Sequence, residues 1–162
     1  MSAPCRPTAT CVLVGSGAVL IRGPSGCGKS TLAGALIAMD GPARPARLIG
    51  DDAVELFAAG GRLIAQAPRE TFGRIEIRGV GVVAVPAERW AVVRLVVDLV
   101  EAEAAPRMPD EGADATVALC GVVVPRLALP RAADALAWRV VTALDAVRAG
   151  SPLPVLARRR AF

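Results

Sequence analysis

Short apolar runs dominate this chain, and helical periodicity is confined to two places. Thr10–Val14 and Ala18–Arg22 read as strands of a hairpin turning at Gly15-Ser16-Gly17. Thr31–Met39 carries a helical pattern and is stopped by Asp40-Gly41-Pro42. Further apolar runs predict strands at Arg47–Ile49, Val54–Ala58, Arg62–Ala67, Arg74–Arg78, Val80–Val85, Ala91–Val100 and Val117–Leu129. Gly60-Gly61 supplies a tight turn between two of them. The second helix is expected at Ala132–Arg148, and Glu101–Ala115, acidic and Pro-containing, reads as the main loop. A doubly wound sheet would alternate its strands with helices of ~10–15 residues. Two helices around a long β-rich middle instead predict an α/β domain with a mixed sheet. No repeat or linker divides the chain, so one domain is expected over residues 1–162, with a core from about 8 to 149 and a basic tail from 150 to 162.

Composition narrows the function classes. With 162 residues the chain can bury one core without staples, and a 54% apolar content excludes disorder. Arg22, Lys29, Arg94 and Asp98 interrupt every apolar stretch before the ~18 residues of a membrane span. The absence of His removes the Ser-His-Asp triad and His-ligated metals. Cys5, Cys11, Cys27 and Cys120 form no C-x-x-C pair, which predicts reduced thiols in a cytoplasmic protein. Cys11–Ile21 is too interrupted by Gly15-Ser16-Gly17 to act as a secretory signal. The net charge of +4 suits an acidic or phosphorylated partner. With aromatics at 3% and no Tyr, no base-stacking platform for nucleic acid is expected, and Arg158–Arg160 reads as a solvated tail.

One residue type marks the chemistry. The chain has 18 arginines and a single lysine, Lys29. It lies in Gly23-Pro24-Ser25-Gly26-Cys27-Gly28-Lys29-Ser30, followed by Thr31, a match to G-x-x-x-x-G-K-[ST]. At this chain's residue frequencies a chance match has a probability on the order of one in a thousand. Backbone N–H groups of such a loop curl around a phosphate, and the helix N-terminus adds its positive end. Lys29 is a compact charge for β- and γ-phosphates, and Ser30 offers a hydroxyl to Mg²⁺. A strand before the loop and a helix after it complete the required context.

Phosphoryl transfer also needs carboxylates beside the phosphates. Asp51-Asp52 follows a strand end that should lie next to the loop. Side chains alternate along a strand, so both can face one site only if a turn intervenes, which Gly50 permits. Glu76 lies opposite Ile75 and Ile77, on the solvent face by pattern alone. Asp98 ends Val93-Arg94-Leu95-Val96-Val97, a Walker B-like strand, and is a reserve Mg²⁺ ligand.

In combination these segments resemble the HPr kinase/phosphorylase family. Arg47-Leu48-Ile49-Gly50-Asp51-Asp52-Ala53-Val54-Glu55 is similar to its paired-Asp segment, and Arg74-Ile75-Glu76-Ile77-Arg78-Gly79-Val80-Gly81-Val82-Val83 to its signature. Gly121–Leu127 is similar to its late strand pair. The resemblance spans roughly residues 8–145, a short form with the catalytic domain alone. It implies a P-loop fold of the phosphoenolpyruvate-carboxykinase type and an ATP- and Mg²⁺-dependent serine kinase. Its substrate would be HPr, the phosphocarrier of the sugar phosphotransferase system, or a relative. It also implies phosphorolytic removal of that phosphate, releasing pyrophosphate, and a homo-oligomer, hexameric in the family. Carried over, Gly23–Thr31 hold the triphosphate, Ser30 and Glu76 hold Mg²⁺, and the Asp51/Asp52 pair supplies the base. Glu76 and Arg78 lie in the segment serving both reactions. Arg107, by its own surroundings a loop residue, matches the family's later catalytic Arg.

Two departures bear on the reverse reaction. Thr8 stands where the family carries His, and it cannot shuttle a proton near neutral pH. The late loop, Leu129–Asp134, has one Arg and no Gly. Two other classes share the P-loop: a kinase with a small-molecule acceptor, and a nucleotide-binding regulator without catalysis. The first would need a lid-length helical insertion, which is not evident. The second is favoured by Thr8 and opposed by the retained Lys29, Ser30, Asp51, Asp52 and Glu76.

Overall fold

A computed structural model describes residues 4–108 and 113–150. The chain opens with the antiparallel hairpin β1 (Ala9–Val14) and β2 (Gly17–Arg22), pairing Val14 with Gly17 and Ala9 with Arg22. The P-loop leads from β2 into α1 (Lys29–Ile37). β3 (Ala46–Gly50) returns antiparallel to the outer side of β1. A second hairpin, β4 (Glu55–Ala59) and β5 (Arg62–Gln66), turns at Gly60-Gly61. β6 (Arg74–Ile77) and β7 (Gly81–Ala84) form a separate two-stranded ribbon.

The 11-residue β8 (Trp90–Val100) is the spine of the molecule. Its start pairs antiparallel with β5, and from Val93 onward it runs parallel to β2. On the other side it runs parallel to β10 (Val122–Pro130), which pairs antiparallel with β9 (Thr116–Leu119). The sheet order is β3-β1-β2-β8-β10-β9, with β4 joined through β5. α2 (Leu136–Arg148) ends the described chain.

Strand alternation divides the interior between two faces. Val19, Ile21, Leu95, Val97 and Leu99 point to the side covered by Leu32, Ala33, Leu36 and Ile37 of α1 and by Val140, Val141 and Leu144 of α2. Ala18, Leu20, Val93 and Val96 point to the other side, where Leu56, Leu63 and Ala65 of the second hairpin cover them. The central strands are therefore apolar on both faces, which is why they read as runs and not as alternations. The mixed sheet with two helices is the architecture expected from the pattern.

Most element ends lie within one or two residues of the expected ones, the first helix running Lys29–Ile37 and not Thr31–Met39, and three features differ further. The single strand expected at Val117–Leu129 is two, because Cys120-Gly121 makes a tight turn with φ of 48° and 77°. The second helix starts at Leu136, after Ala135 adopts a left-handed φ of 54°. The expected loop contains 3-10 turns at Ala102–Ala104 and Ala113–Ala115. The basic run Arg158–Arg160 lies outside the described residues.

Candidate active site

The P-loop wraps the start of α1. Gly28 caps the helix at φ 102°, a conformation that side chains disfavour, and this lets the loop turn directly into the first helical residue. Cys27 packs inward behind the loop at 4% exposure. Lys29 is also buried, and its Nζ donates to the carbonyls of Gly23 and Pro24 at 3.1 and 3.3 Å. The same ammonium lies 3.3 Å from Asp52 Oδ1.

β3 delivers the paired carboxylates to the edge of this loop. A Cβ on Gly50 would lie 2.9 Å from Val54 Cγ1 and collide with the carbonyl of Ala53, so the turn after β3 closes only around glycine. Asp51 and Asp52 follow in a bend, and Asp52 takes a φ of 55°. That bend breaks strand alternation and lets both carboxylates line the same cleft.

Their surroundings differ. Asp51 is held from three elements: Thr10 Oγ1 of β1 donates to Oδ1 at 2.9 Å, Ser30 Oγ of α1 donates to Oδ1 at 2.7 Å, and the Glu76 N–H of β6 donates to Oδ2 at 3.1 Å. The Asp52 side chain is 59% exposed, and its carboxylate meets only the ammonium of Lys29 among these groups, while its backbone N–H donates to Thr10 Oγ1 at 3.4 Å. Asp51 therefore ties the site together, while Asp52 presents a carboxylate to the cleft.

The β6–β7 ribbon forms the opposite wall. Ile75 is buried against the helical face of the core, which turns Arg74, Glu76 and Arg78 toward the open side. The Arg78 guanidinium reaches over the P-loop, with Nη2 3.7 Å from where a Gly26 Cβ would stand. The resulting cleft holds about 680 Å³ and is lined by Ser25, Gly26, Gly28–Thr31, Asp51, Asp52 and the ribbon from Arg74 to Val82. Glu76, a solvent-face residue by pattern alone, is thus a cleft residue.

The donor set suits Mg²⁺ held with a nucleotide. Among the described residues no group of three or more Asp, Glu, Cys or His side chains is placed to hold a metal by itself. Mg²⁺ is typically bound through one or two carboxylates with the remaining positions filled by phosphate and water. The hydroxyl of Ser30 at the end of the P-loop and the carboxylates of Asp51 and Glu76 lining the same cleft match that demand.

Other residues are not brought to the cleft. Asp98 is no reserve metal ligand: Arg22 grips both its oxygens at 2.7 and 2.8 Å, and Arg126 Nε donates to Oδ2 at 2.5 Å. Its register opposite Arg22 turns it to the sheet face away from the helices. Burial raises its pKa, but the two guanidiniums outweigh burial and hold it below the ordinary carboxylate value. Arg107 is exposed in the loop after the first 3-10 turn and does not line the cleft. Thr8 is exposed just before β1, and Arg131 pairs with Glu101 at 2.9 Å.

Sequence reasoning missed Thr10 and Arg74. Thr10 is fully buried in an otherwise apolar strand, and a lone buried hydroxyl in such a run was its signal. Arg74 shares the i, i+2, i+4 face of Glu76 and Arg78, a periodicity visible in the sequence.

A parallel-centred sheet feeding a P-loop, with two aspartates and a glutamate converging on it, defines an α/β P-loop fold of the kinase type. Residues 5–144 match the family described as HPr Serine kinase C-terminal domain, and the chain belongs to that family. It is similar to the HPr(Ser) kinase/phosphatase structure from Coxiella burnetii, with a TM-score of 0.76 and 27% identity over 90% of this chain and 97% of that one. It is 44% identical over 69 residues to an HPr kinase/phosphorylase of Clostridium tetani, covering 43% of this chain and 21% of that protein. A Clostridium perfringens HPr kinase/phosphorylase is 45% identical over 69 residues, with the same shares. The matched stretch thus spans about a fifth of those curated relatives.

Proposed function

We propose that this chain is an ATP- and Mg²⁺-dependent protein kinase that phosphorylates a serine of an HPr-like phosphocarrier protein. The observation that carries this reading is the convergence of Lys29, Ser30, Asp51, Asp52 and Glu76 on one open cleft. An open cleft admits a protein loop carrying the acceptor serine. Family membership and the names of the relatives support an HPr-like acceptor.

In this reading the P-loop N–H groups and Lys29 hold the triphosphate, and Lys29 exchanges its carbonyl partners for phosphate oxygens. Ser30, Asp51 and Glu76 hold Mg²⁺, which would neutralise charge on the phosphates. Asp52 accepts the proton of the serine hydroxyl as its oxygen bonds to the γ-phosphorus and the bond to the β-phosphate oxygen breaks. Arg78, above the loop, offsets charge on the transferred group. Catalysis is mainly positioning and charge stabilisation, the usual case for phosphoryl transfer. Arg107 has no place in this scheme.

The reverse, phosphorolytic reaction is proposed to be the weaker one, because the chain has no His and Thr8 is exposed outside the cleft. Among the described residues no helix is long and apolar enough to cross a membrane, and we place the kinase in the cytoplasm with its phosphocarrier. Assembly into the family's hexamer belongs to the same proposal.

Radiolabelled γ-phosphoryl transfer tests the reading, with HPr and an HPr variant carrying Ala at the acceptor serine. Label on HPr and none on the variant is the expected result. Tight ATP binding with no label on HPr would favour the nucleotide-sensing alternative.

A further inference from the structure

All four cysteines are free thiols, yet two that lie far apart in sequence meet in space. Cys5 Sγ is 2.8 Å from Cys120 Sγ, across 115 positions of chain. Leu56 of β4 is the scaffold for the pair. Its N–H and carbonyl exchange hydrogen bonds of 2.8 and 2.9 Å with the backbone of Cys5, forming an isolated antiparallel bridge. The Cys120 thiol donates to the same Leu56 carbonyl at 3.5 Å. Leu56 itself is fully buried, so both cysteines are anchored to the core and not to a mobile surface. Arg6 adds an ion pair to Glu55 of the same strand at 2.5 Å.

The two remaining cysteines have different surroundings. Cys11 and Cys27 are 0% and 4% exposed, on opposite faces of the sheet. Cys5 and Cys120 are only half-buried, and solvent reaches them. We propose that Cys5 and Cys120 are an oxidative modification site, converted by peroxide into an intramolecular disulfide that staples the N-terminal segment to the β9–β10 turn across β4.

The chemistry closes with the peroxide as oxidant. The Cys120 sulfur attacks one peroxide oxygen, forming S–O as O–O breaks, and the released hydroxide takes the thiol proton to become water. The Cys5 sulfur then attacks the Cys120 sulfur, S–S forms as S–O breaks, and the Cys5 proton leaves with the hydroxyl as a second water. Two thiols lose two hydrogen atoms in all, and one peroxide becomes two waters. Burial first, then the hydrogen bond and charge of Cys120, push the Cys5 thiol up to about 11, which makes Cys5 the poorer first nucleophile. The sulfurs already lie 2.8 Å apart, so little further approach is needed to form the bond. Closing so long a loop removes much of the unfolded chain's freedom.

The test is treatment of the full chain with hydrogen peroxide in small excess, followed by non-reducing peptide mapping and intact mass. The expected product links the peptides of Cys5 and Cys120 within one chain, with a mass lower by two hydrogen atoms. Its melting midpoint rises by about 10 °C, and dithiothreitol reverses the rise. In Cys5→Ser, Cys120 should stop at a sulfenic acid trapped by dimedone. Links to Cys11 or Cys27, links between chains, or oxidation beyond sulfenic acid with no Cys5–Cys120 link would overturn the proposal. The map of the unaltered protein decides this without the variant.

Discussion

Ser30 Oγ donates a 2.7 Å hydrogen bond to Asp51 Oδ1, joining the first turn of α1 to the bend after β3. Because Asp51 also accepts from Thr10 and Glu76, one carboxylate locks the P-loop helix, the first strand and the β6–β7 ribbon into a common frame. Asp51 is thus a positioning group as well as a metal ligand in the proposed reaction. Asp51→Asn should weaken Mg²⁺-dependent ATP binding by about 10–100-fold, with little change in Mg²⁺-free binding. Calorimetric titration with and without Mg²⁺ measures both.

Asp52 should behave differently. It projects into the cleft with only Lys29 beside it. Asp52→Asn should lower kcat by about 10²–10⁴-fold while nucleotide affinity stays within about twofold, the pattern of a lost proton acceptor. Single-turnover kinetics with saturating Mg-ATP separates this from a binding defect.

The bend that carries both residues rests on Gly50. An added Cβ would strike the Ala53 carbonyl and crowd Val54 Cγ1 at 2.9 Å. Val54 is held by the core at 1% exposure and cannot easily give way. Gly50→Ala should cost about 2–3 kcal/mol in urea unfolding and should impair transfer, because the turn must shift to relieve the overlap.

Much of this arrangement was legible in the residues. The P-loop announced itself because glycine spacing and the only lysine coincide, and both reflect local phosphate geometry. Glycine before Asp51-Asp52 permitted the turn that the structure shows. The limits were physical. Cys120-Gly121 carries a turn inside an unbroken apolar run, so Val117–Leu129 read as one strand. Asp98 mimicked a Walker B residue because sequence reports the end of a strand but not which face its side chain takes. Its neutralisation depends on Arg22 and Arg126 from two other strands, a register that local pattern does not carry. Cys5 and Cys120 escaped notice for the same reason, since only tertiary pairing with β4 brings them together.

The Asp98 cluster predicts an acid dependence of stability. Its folded pKa lies below the ordinary 3.8, so the stabilisation is complete above that value and is lost as pH falls through the folded pKa. Asp98→Asn should flatten the stability profile in that acid range. At neutral pH it should cost about 2 kcal/mol, less than for a fully buried pair because Arg22 and Arg126 stay 28% and 27% exposed. Urea midpoints across pH 2–6 for both proteins check the sign.

The most direct measurement is intact-mass analysis of HPr after incubation with this chain and Mg-ATP, beside a Lys29→Ala control. Lys29 is buried at the P-loop and has no second lysine to replace it. The account predicts one added phosphoryl group, mapped to a serine of HPr, and a loss of at least about 100-fold in its rate with Lys29→Ala. Unmodified HPr with the native chain, or equal phosphorylation by the control, would contradict it.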